Sequence, residues 1–200
     1  MIKKMEYTRI FIAINFPPDI KLKLAGFISR MRGKFSNIRW VSDENLHLTL
    51  KFLGKTPESD LNKLYSGCQN AVTESVPFSF SCEGLGMFPS ERSPRVVWLG
   101  IKKGEEELKS LVSKIENNLV NRGFPEEKRD YKPHLTLGRV KTEDNSFKNL
   151  WEDLTPCRNF KTGEIFTDKI YVMKSVLSSK GAEYSILKEF CLKKEGIKGN

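Results

Sequence analysis

The chain has 200 residues, of which 38% are hydrophobic and 30% are charged, a composition that excludes a disordered or membrane-embedded protein. With 34 basic and 25 acidic residues, the formal net charge of +9 favours an anionic partner such as nucleic acid, although it says nothing about the fold. Four scattered cysteines are typical of a reducing compartment, and with only two histidines present a zinc site is not expected. No apolar run is long enough for a signal sequence or a membrane span, so we expect a cytoplasmic protein.

Hydrophobic periodicity predicts strands and helices along the whole chain. In the first half we expect, in order, a strand at 9–16, a helix at 18–32, a short strand at 39–41, a strand at 46–53 that Gly54 ends, a helix at 58–74, a strand at 78–82 and a loop at 84–94. In the second half we expect a strand at 95–101, a helix at 105–121, a strand after Pro133, a short helix at 146–154, strands at 161–166 and 169–177, a turn at 178–181, a strand at 184–192 and a frayed tail.

The sequence His-Leu-Thr-Leu occurs twice, at 47–50 and at 134–137, and the two copies contain both histidines. Successive side chains of a strand point to opposite faces, so each histidine shares a face with its threonine while the two leucines face a core. Two such strands facing each other would bring two imidazoles and two hydroxyls around one small anion.

This set of groups is suited to general acid–base catalysis. An imidazole has an ordinary pKa near ~6.5, so one ring can accept a proton while the other donates one near neutral pH. The hydroxyls can donate hydrogen bonds to phosphate oxygens. A cyclic phosphodiester fits such a site without a metal or other cofactor, although the residues alone do not decide which histidine is the acid. The candidate residues are His47, Thr49, His134 and Thr136.

The order of strand, helix, loop and motif is itself repeated, roughly over 9–54 and 95–140. A repeated β-α-β unit that ends in the same motif indicates an internal duplication with two similar lobes. No segment resembles a flexible linker, so we expect one domain over 1–200, and nothing in the sequence requires more than a monomer.

Two arginines are weaker candidates. Arg139 lies five residues after His134, where regular alternation would turn it to the core face. A role beside the histidine therefore requires a bulge or a strand end near Gly138, and without one Arg139 is an ordinary surface residue. Arg92 lies in the loop at 84–94, which could border the site.

Two lysines and two aromatic residues are also candidates. By the same period of two, Lys51 and Lys132 share a face with their neighbouring histidines, where they would lower the histidine pKa values or remain solvated. Phe11 and Trp98 lie in the first strand of each repeat, where each could stack on a base or belong to the core.

The segments 9–14, 40–54, 95–100 and 132–139 together resemble the 2H phosphoesterase superfamily, and most closely its RNA 2′,3′-cyclic phosphodiesterases, historically called 2′-5′ RNA ligases. The resemblance covers roughly residues 8–192. It implies a bilobal α+β fold with two pseudo-symmetric lobes, each with an antiparallel sheet and helices on the outside, around a V-shaped central cleft.

The resemblance also implies a reaction, in which a 2′,3′-cyclic phosphate at an RNA end is opened to a 2′-phosphomonoester. By the same resemblance His47 would be the proton donor and His134 the proton acceptor, while Thr49, Thr136 and Arg139 would contact the phosphate. Two other activities of the same fold stay open, a 2′-5′ RNA ligase and a phosphodiesterase for a small cyclic nucleotide. A non-catalytic nucleotide- or RNA-binding module is a further alternative, but it predicts a degraded motif in one lobe, whereas both motifs are intact.

Overall fold

The computed structural model describes residues 6–141, 150–179 and 181–193. Within these ranges the chain forms nine β-strands: β1 (Tyr7–Asn15), β2 (Ile38–Trp40), β3 (His47–Pro57), β4 (Phe78–Phe88), β5 (Val96–Lys103), β6 (His134–Val140), β7 (Lys161–Thr167), β8 (Lys169–Ser178) and β9 (Gly181–Cys191). The α-helices in the same ranges are α1 (Pro18–Arg32), α2 (Leu61–Thr73), α3 (Glu105–Val120) and α4 (Leu150–Leu154). None of the helices in these ranges has the length and apolar character needed to cross a membrane.

The strands form two antiparallel sheets. The first sheet has the order β3-β1-β8-β9, and the second has the order β2-β6-β5-β4-β7. Each sheet contains one strand that begins with a motif histidine, β3 in the first sheet and β6 in the second. The predicted α+β class with two antiparallel sheets is therefore confirmed, and the two copies of the repeat lie in different sheets.

The leucines of both motifs are buried as predicted. Leu48, Leu50, Leu135 and Leu137 are each at most 3% exposed and belong to one continuous apolar core. We call the opposite face of each sheet, which carries the histidine, its motif face. The helices pack on the other faces: α1 lies against the second sheet, where Phe27 contacts Phe160, while α2 and α3 pack together beneath the first sheet. The helix of each repeat thus packs beneath the sheet of the other repeat, which interlocks the two halves of the chain.

Two predicted strand ends are wrong, and glycine is involved in both. β3 does not end at Gly54 but continues to Pro57, because the glycine adopts a φ of 67° beside a β-bulge. β4 does not end at residue 82 but continues to Phe88, so the predicted loop at 84–94 is reduced to a short connection to β5. In β4, Gly86 lies beneath the indole of Trp98, where a Cβ atom would come within 2.2 Å of the ring.

The helices differ little from their predicted bounds. The segment predicted as a helix at 58–74 begins with a 3₁₀ turn at Glu58–Asp60, which α2 follows. Of the helix predicted at 146–154, only Leu150–Leu154 lies within the described residues. The predicted tail lies almost wholly outside them.

Candidate active site

A β-bulge follows the motif threonine in the first sheet. Thr49 pairs with Ala13, but Lys51 pairs with the next residue of β1, Ile12, so that Leu50 has no partner opposite it. The second sheet repeats this arrangement, because Thr136 pairs with Trp98 and Gly138 with Val97. The two bulges occupy equivalent places in the repeat, directly after the motif threonine.

The bulges decide which side chains join the motif faces. In each strand the fourth residue after the histidine turns to the core side, and the fifth returns to the motif face. The bulge that the prediction for Arg139 required is therefore present, and Arg139 is exposed on the motif face of β6. The equivalent residue of β3 is Phe52, whose side chain is 69% exposed.

The prediction for Lys51 is wrong for the same reason. The bulge turns Lys51 away from His47, and its side chain is only 5% exposed. The ammonium group forms an ion pair with Glu116 of α3 and donates a hydrogen bond to the backbone carbonyl of Pro125 at 3.1 Å. Lys51 therefore fastens β3 to the helix beneath it and contributes nothing to the motif face.

Backbone carbonyls fix the orientation of both imidazoles. Nδ1 of His47 donates to the carbonyl of Asn45 at 2.7 Å, and Nδ1 of His134 donates to the carbonyl of Lys132 at 2.6 Å. Because a carbonyl only accepts, the neutral rings carry their hydrogen on Nδ1 and keep a lone pair on Nε2. In the first motif this lone pair lies 3.1 Å from the hydroxyl oxygen of Thr49, which is able to donate to it.

The two motifs are joined directly to each other. Tyr131, three residues before His134, donates a hydrogen bond from its hydroxyl to the backbone carbonyl of Thr49 at 2.9 Å. The backbone N–H of Val41 donates to the carbonyl of Leu137 at 2.8 Å, and β3 and β6 contact each other across the boundary between the sheets. The space between the motif faces, which we call the cleft, is therefore bordered by one motif from each sheet.

Aromatic rings surround both imidazoles. The centroid of His47 lies 4.8 Å from that of Phe11 and 5.3 Å from that of Tyr184 in β9. The centroid of His134 lies 4.9 Å from that of Phe88 and 6.3 Å from that of Trp98. These rings exclude water from one side of each imidazole, and they include both aromatic residues that the sequence singled out.

Burial argues against a base-stacking role for Phe11. Its side chain is 3% exposed beneath His47, so it has no free ring face to offer to a base. Trp98 is half-buried, packs its ring against Phe88 at 4.9 Å, and has an indole N–H that is buried without a hydrogen-bond partner among the described residues. Phe11 therefore supports the histidine, and the exposed ring near it on the same motif face is Phe52.

The surroundings lower the pKa of both histidines. Burial lowers the pKa of His47 to about 4; the hydrogen bond to Asn45 opposes this shift, and the charge of Lys21 adds to it. Burial also lowers the pKa of His134, with a smaller contribution from the charge of Arg139. The lysines predicted to act on the histidines, Lys51 and Lys132, are not among these causes. Both imidazoles are therefore neutral at pH 7 in the free protein.

Several residues that surround the site were not found from the sequence. Tyr184 and Phe88 contact the histidines from strands distant in sequence, and Asn45 adds a second link, since its side-chain amide donates to the carbonyl of Ala182 in β9 at 2.7 Å. The repeat gave a usable signal for Phe52, which stands five residues after His47 as Arg139 stands after His134. Among the described residues there is no cluster of three or more His, Cys, Asp or Glu side chains that could hold a metal ion.

The sequence model of the 2′-5′ RNA ligase superfamily matches residues 19–175. The chain belongs to this superfamily. Similar proteins include one from Thermotoga maritima, named RNA 2′,3′-cyclic phosphodiesterase, which is 33% identical over 181 residues covering 90% of this chain and 94% of that protein. A Methanocaldococcus jannaschii protein with the same name is 35% identical over 182 residues, covering 91% of this chain and 99% of that protein.

Solved structures of the superfamily have the same architecture. A crystal structure of a Thermus thermophilus protein matches with a TM-score of 0.77 and 26% identity, covering 94% of this chain and all of that one (100%). The structure of Escherichia coli LigT in complex with 3′-AMP matches with a TM-score of 0.72 and 25% identity, covering 94% of this chain and 99% of LigT. The family resemblance read from the sequence is confirmed.

Proposed function

We propose that this superfamily member is an RNA 2′,3′-cyclic phosphodiesterase that opens the cyclic phosphate at an RNA end to a 2′-phosphomonoester. The observation that carries the proposal is the matched pair of imidazoles. Each has Nδ1 held by the carbonyl two residues earlier, which leaves Nε2 for proton transfer. The activity named for the similar proteins from a bacterium and an archaeon supports it.

In the proposed step, Nε2 of His134 accepts a proton from a water molecule as the water oxygen attacks the phosphorus. The bond from phosphorus to O3′ breaks while Nε2 of His47 donates a proton to O3′, so the phosphate stays on O2′. Thr49 and Thr136 donate hydrogen bonds to the non-bridging oxygens, on which negative charge increases. Proton exchange with solvent then returns both imidazoles to their starting states.

The low pKa of His47 sets a condition on this assignment. An acid with a pKa of about 4 is mostly unprotonated at pH 7, so the negative charge of the bound phosphate must raise that pKa for His47 to act as the donor. The pH profile of kcat reports groups in the enzyme–substrate complex, whereas that of kcat/KM reports the free enzyme. The alkaline limb of kcat should therefore lie at higher pH than the alkaline limb of kcat/KM. Coinciding limbs would contradict the assignment of His47 as the acid.

For the terminal base we propose contact with Phe52 instead of Phe11. Phe52 is 69% exposed on the motif face of β3, and its ring centroid lies 6.1 Å from that of Phe11. Stacking of a base on an aromatic ring is worth about 1–3 kcal/mol, so Phe52→Ala should raise KM roughly tenfold with little change in kcat. Phe166 of β7 is similarly exposed, at 63%, and Phe166→Ala serves as the control that leaves KM unchanged.

The proposal is tested with a short RNA that ends in a 2′,3′-cyclic phosphate, incubated with the protein in excess chelator. The expected product is a 2′-phosphate, identified by ³¹P NMR. A 3′-phosphate would reverse the leaving group and the roles of the histidines, and absence of any hydrolysis would overturn the proposal. A 5′-hydroxyl RNA added in a parallel reaction detects the alternative 2′-5′ ligation. Hydrolysis that persists in chelator is the expected result for a reaction that needs no metal.

We further propose that the protein acts in the cytoplasm as a monomer. The four cysteines are unpaired, and Cys68 and Cys82 are buried, as is usual in a reducing compartment. Burial raises the pKa of both of these thiols to about 12, which leaves them unreactive. Sedimentation of the purified protein at micromolar concentration tests the oligomeric state, and a dimer would contradict the proposal.

A further inference from the structure

Two arginines stand side by side on the motif face of the second sheet. In the antiparallel ladder between β2 and β6, Arg39 is the direct cross-strand partner of Arg139. Both side chains are exposed, while the residues on either side of Arg39, Ile38 and Trp40, are buried in the core. Direct partners in an antiparallel pair have Cα atoms only ~4.5–5.5 Å apart and project from the same face, so the two guanidinium groups are neighbours.

The backbone beneath this pair is firmly held. A Cβ atom on Gly138 would come within 2.6 Å of Ile38, so only glycine permits β2 to lie this close to β6. The indole N–H of Trp40 donates to the carbonyl of Phe35 at 3.2 Å, which fixes the other end of β2. The two arginines are thus placed next to each other by rigid strands.

Like charges that face each other across a ladder destabilise a sheet. Neither Arg39 nor Arg139 forms an ion pair with a carboxylate in the part of the chain that the structure describes, whereas Lys51, Lys161 and Lys169 all do. An anion bound between the two guanidinium groups would remove this repulsion. Arginine is also the side chain best suited to hold phosphate, through two parallel N–H···O hydrogen bonds from each fork.

The pair lies beside the catalytic motif without being part of it. Arg139 is three residues beyond Thr136 along β6, roughly 10 Å or less, and is close enough to His134 for its charge to lower the histidine pKa. A phosphate bound by the pair would therefore lie one sugar away from a phosphate held by the threonines. In a nucleotide whose 2′,3′ edge is at the motif, the group in that position is the 5′-phosphate.

We propose that Arg39 and Arg139 form a second phosphate subsite, which binds the 5′-phosphate of the terminal nucleotide. The inference rests on the proposed function in that it takes a nucleotide end as the ligand. It assigns to Arg39 a role in distinguishing RNA chains and 5′-phosphorylated nucleotides from cyclic mononucleosides that lack this phosphate. The partner of the subsite is thus the RNA backbone one phosphate away from the reacting end.

Binding calorimetry on the intact protein tests this without depending on turnover. The probes are adenosine 2′-monophosphate and adenosine 2′,5′-bisphosphate at constant ionic strength. The wild-type protein should bind the bisphosphate at least tenfold more tightly, since a charge-assisted hydrogen bond commonly contributes that much. Arg39→Ala should reduce the preference to near unity, and Arg39→Lys should keep part of it because it retains the charge without the fork.

Arg32→Ala is the matched control, since Arg32 is an exposed arginine in the last turn of α1 and its loss changes the net charge equally. It should leave the preference for the bisphosphate unchanged. A wild-type protein without the preference, or an Arg39→Ala variant that keeps it, would overturn the subsite. Equal weakening of both probes by Arg39→Ala would also overturn it, by showing that Arg39 acts on the 2′-phosphate instead.

Kinetics separate a failure of this subsite from a failure of the proposed function. The kcat/KM ratio of adenosine 2′,3′-cyclic phosphate bearing a 5′-phosphate to the same compound without one should fall about tenfold in Arg39→Ala. If both compounds are hydrolysed and the ratio is unchanged, only the subsite is wrong. If neither is hydrolysed by the wild type, nor any cyclic-phosphate RNA, the proposed function fails, and the calorimetric preference still decides the subsite.

Discussion

Replacing Lys51 with methionine separates the position that the structure gives this residue from the position that strand alternation predicts. The ammonium group is buried between β3 and α3, where it pairs with Glu116. Methionine preserves the unbranched chain but removes the charge, so the carboxylate of Glu116 loses its partner. Breaking a buried ion pair in this way costs about 3–5 kcal/mol.

The expected loss lies near the lower end of that range. Glu116 keeps the hydrogen bond that it accepts from the backbone N–H of Glu127 at 2.8 Å, and its side chain is 18% exposed. We therefore expect Lys51→Met to lower the free energy of unfolding by about 3 kcal/mol, which corresponds to roughly 6–12 °C in Tm for a protein of this size. The double variant Lys51→Met, Glu116→Leu should regain most of this stability, because it leaves no unpaired charge.

Urea unfolding and thermal melting at pH 7 measure the stability, and kcat/KM well below the melting temperature measures the site. The structure predicts that Lys51→Met lowers stability as described and changes kcat/KM less than tenfold. A variant that melts within about 2 °C of the wild type but loses activity would show that Lys51 acts in the cleft, which would refute the bulge-based assignment of faces.

Three further predictions concern the surroundings of the histidines. Because the pKa of His47 is about 4 in the folded protein and near ~6.5 when unfolded, stability should be complete above pH 6.5 and fall by about 3 kcal/mol towards pH 4 in urea titrations; His47→Gln should flatten this dependence, and an unchanged slope would contradict it. Gly86→Ala should displace the indole of Trp98, changing its fluorescence and lowering stability by about 1–3 kcal/mol, whereas native-like fluorescence and stability would show that the site is roomier than described. Tyr131→Phe removes only the hydrogen bond to Thr49, and we expect a loss of about 1 kcal/mol in unfolding experiments with a lower kcat; unchanged values of both would mean that this bond does not hold the motifs together.

The sequence predicts the elements that depend on local pattern. The period of two in His-Leu-Thr-Leu placed all four leucines in the core, and the repeated order of elements anticipated one motif strand in each of two antiparallel sheets. The need for a bulge near Gly138 followed from the spacing between His134 and Arg139 alone. These predictions depend on short-range geometry, which a single sequence carries.

The wrong prediction for Lys51 was avoidable in part. The argument that required a bulge in the second motif applies to the first motif through the repeat, and it would have turned Lys51 inward. The extension of β4 through Gly84 and Gly86 was harder to foresee. Glycines usually interrupt strands, and here their value lies in a bulge with a φ of 85° and in the space needed by the indole of Trp98.

Contacts between distant segments could not be read from the sequence. Tyr184 reaches His47 because β9 completes the first sheet, and Arg39 faces Arg139 because β2 joins the second sheet instead of the first. Both facts depend on the register of strands that are far apart in the chain. Local patterns therefore identified the reacting residues, and only the fold identified the residues that orient them.

Single-turnover rates of the His47→Ala, His134→Ala and double variants, measured on one cyclic-phosphate RNA, test most directly whether the two histidines act on the same phosphorus. Each single change should lower the rate about 10²–10⁴-fold, as expected for loss of a general acid or base. If the two imidazoles act in one step, the double variant should be about as slow as the slower single variant. Losses that multiply in the double variant, or a single variant with the wild-type rate, would contradict paired catalysis.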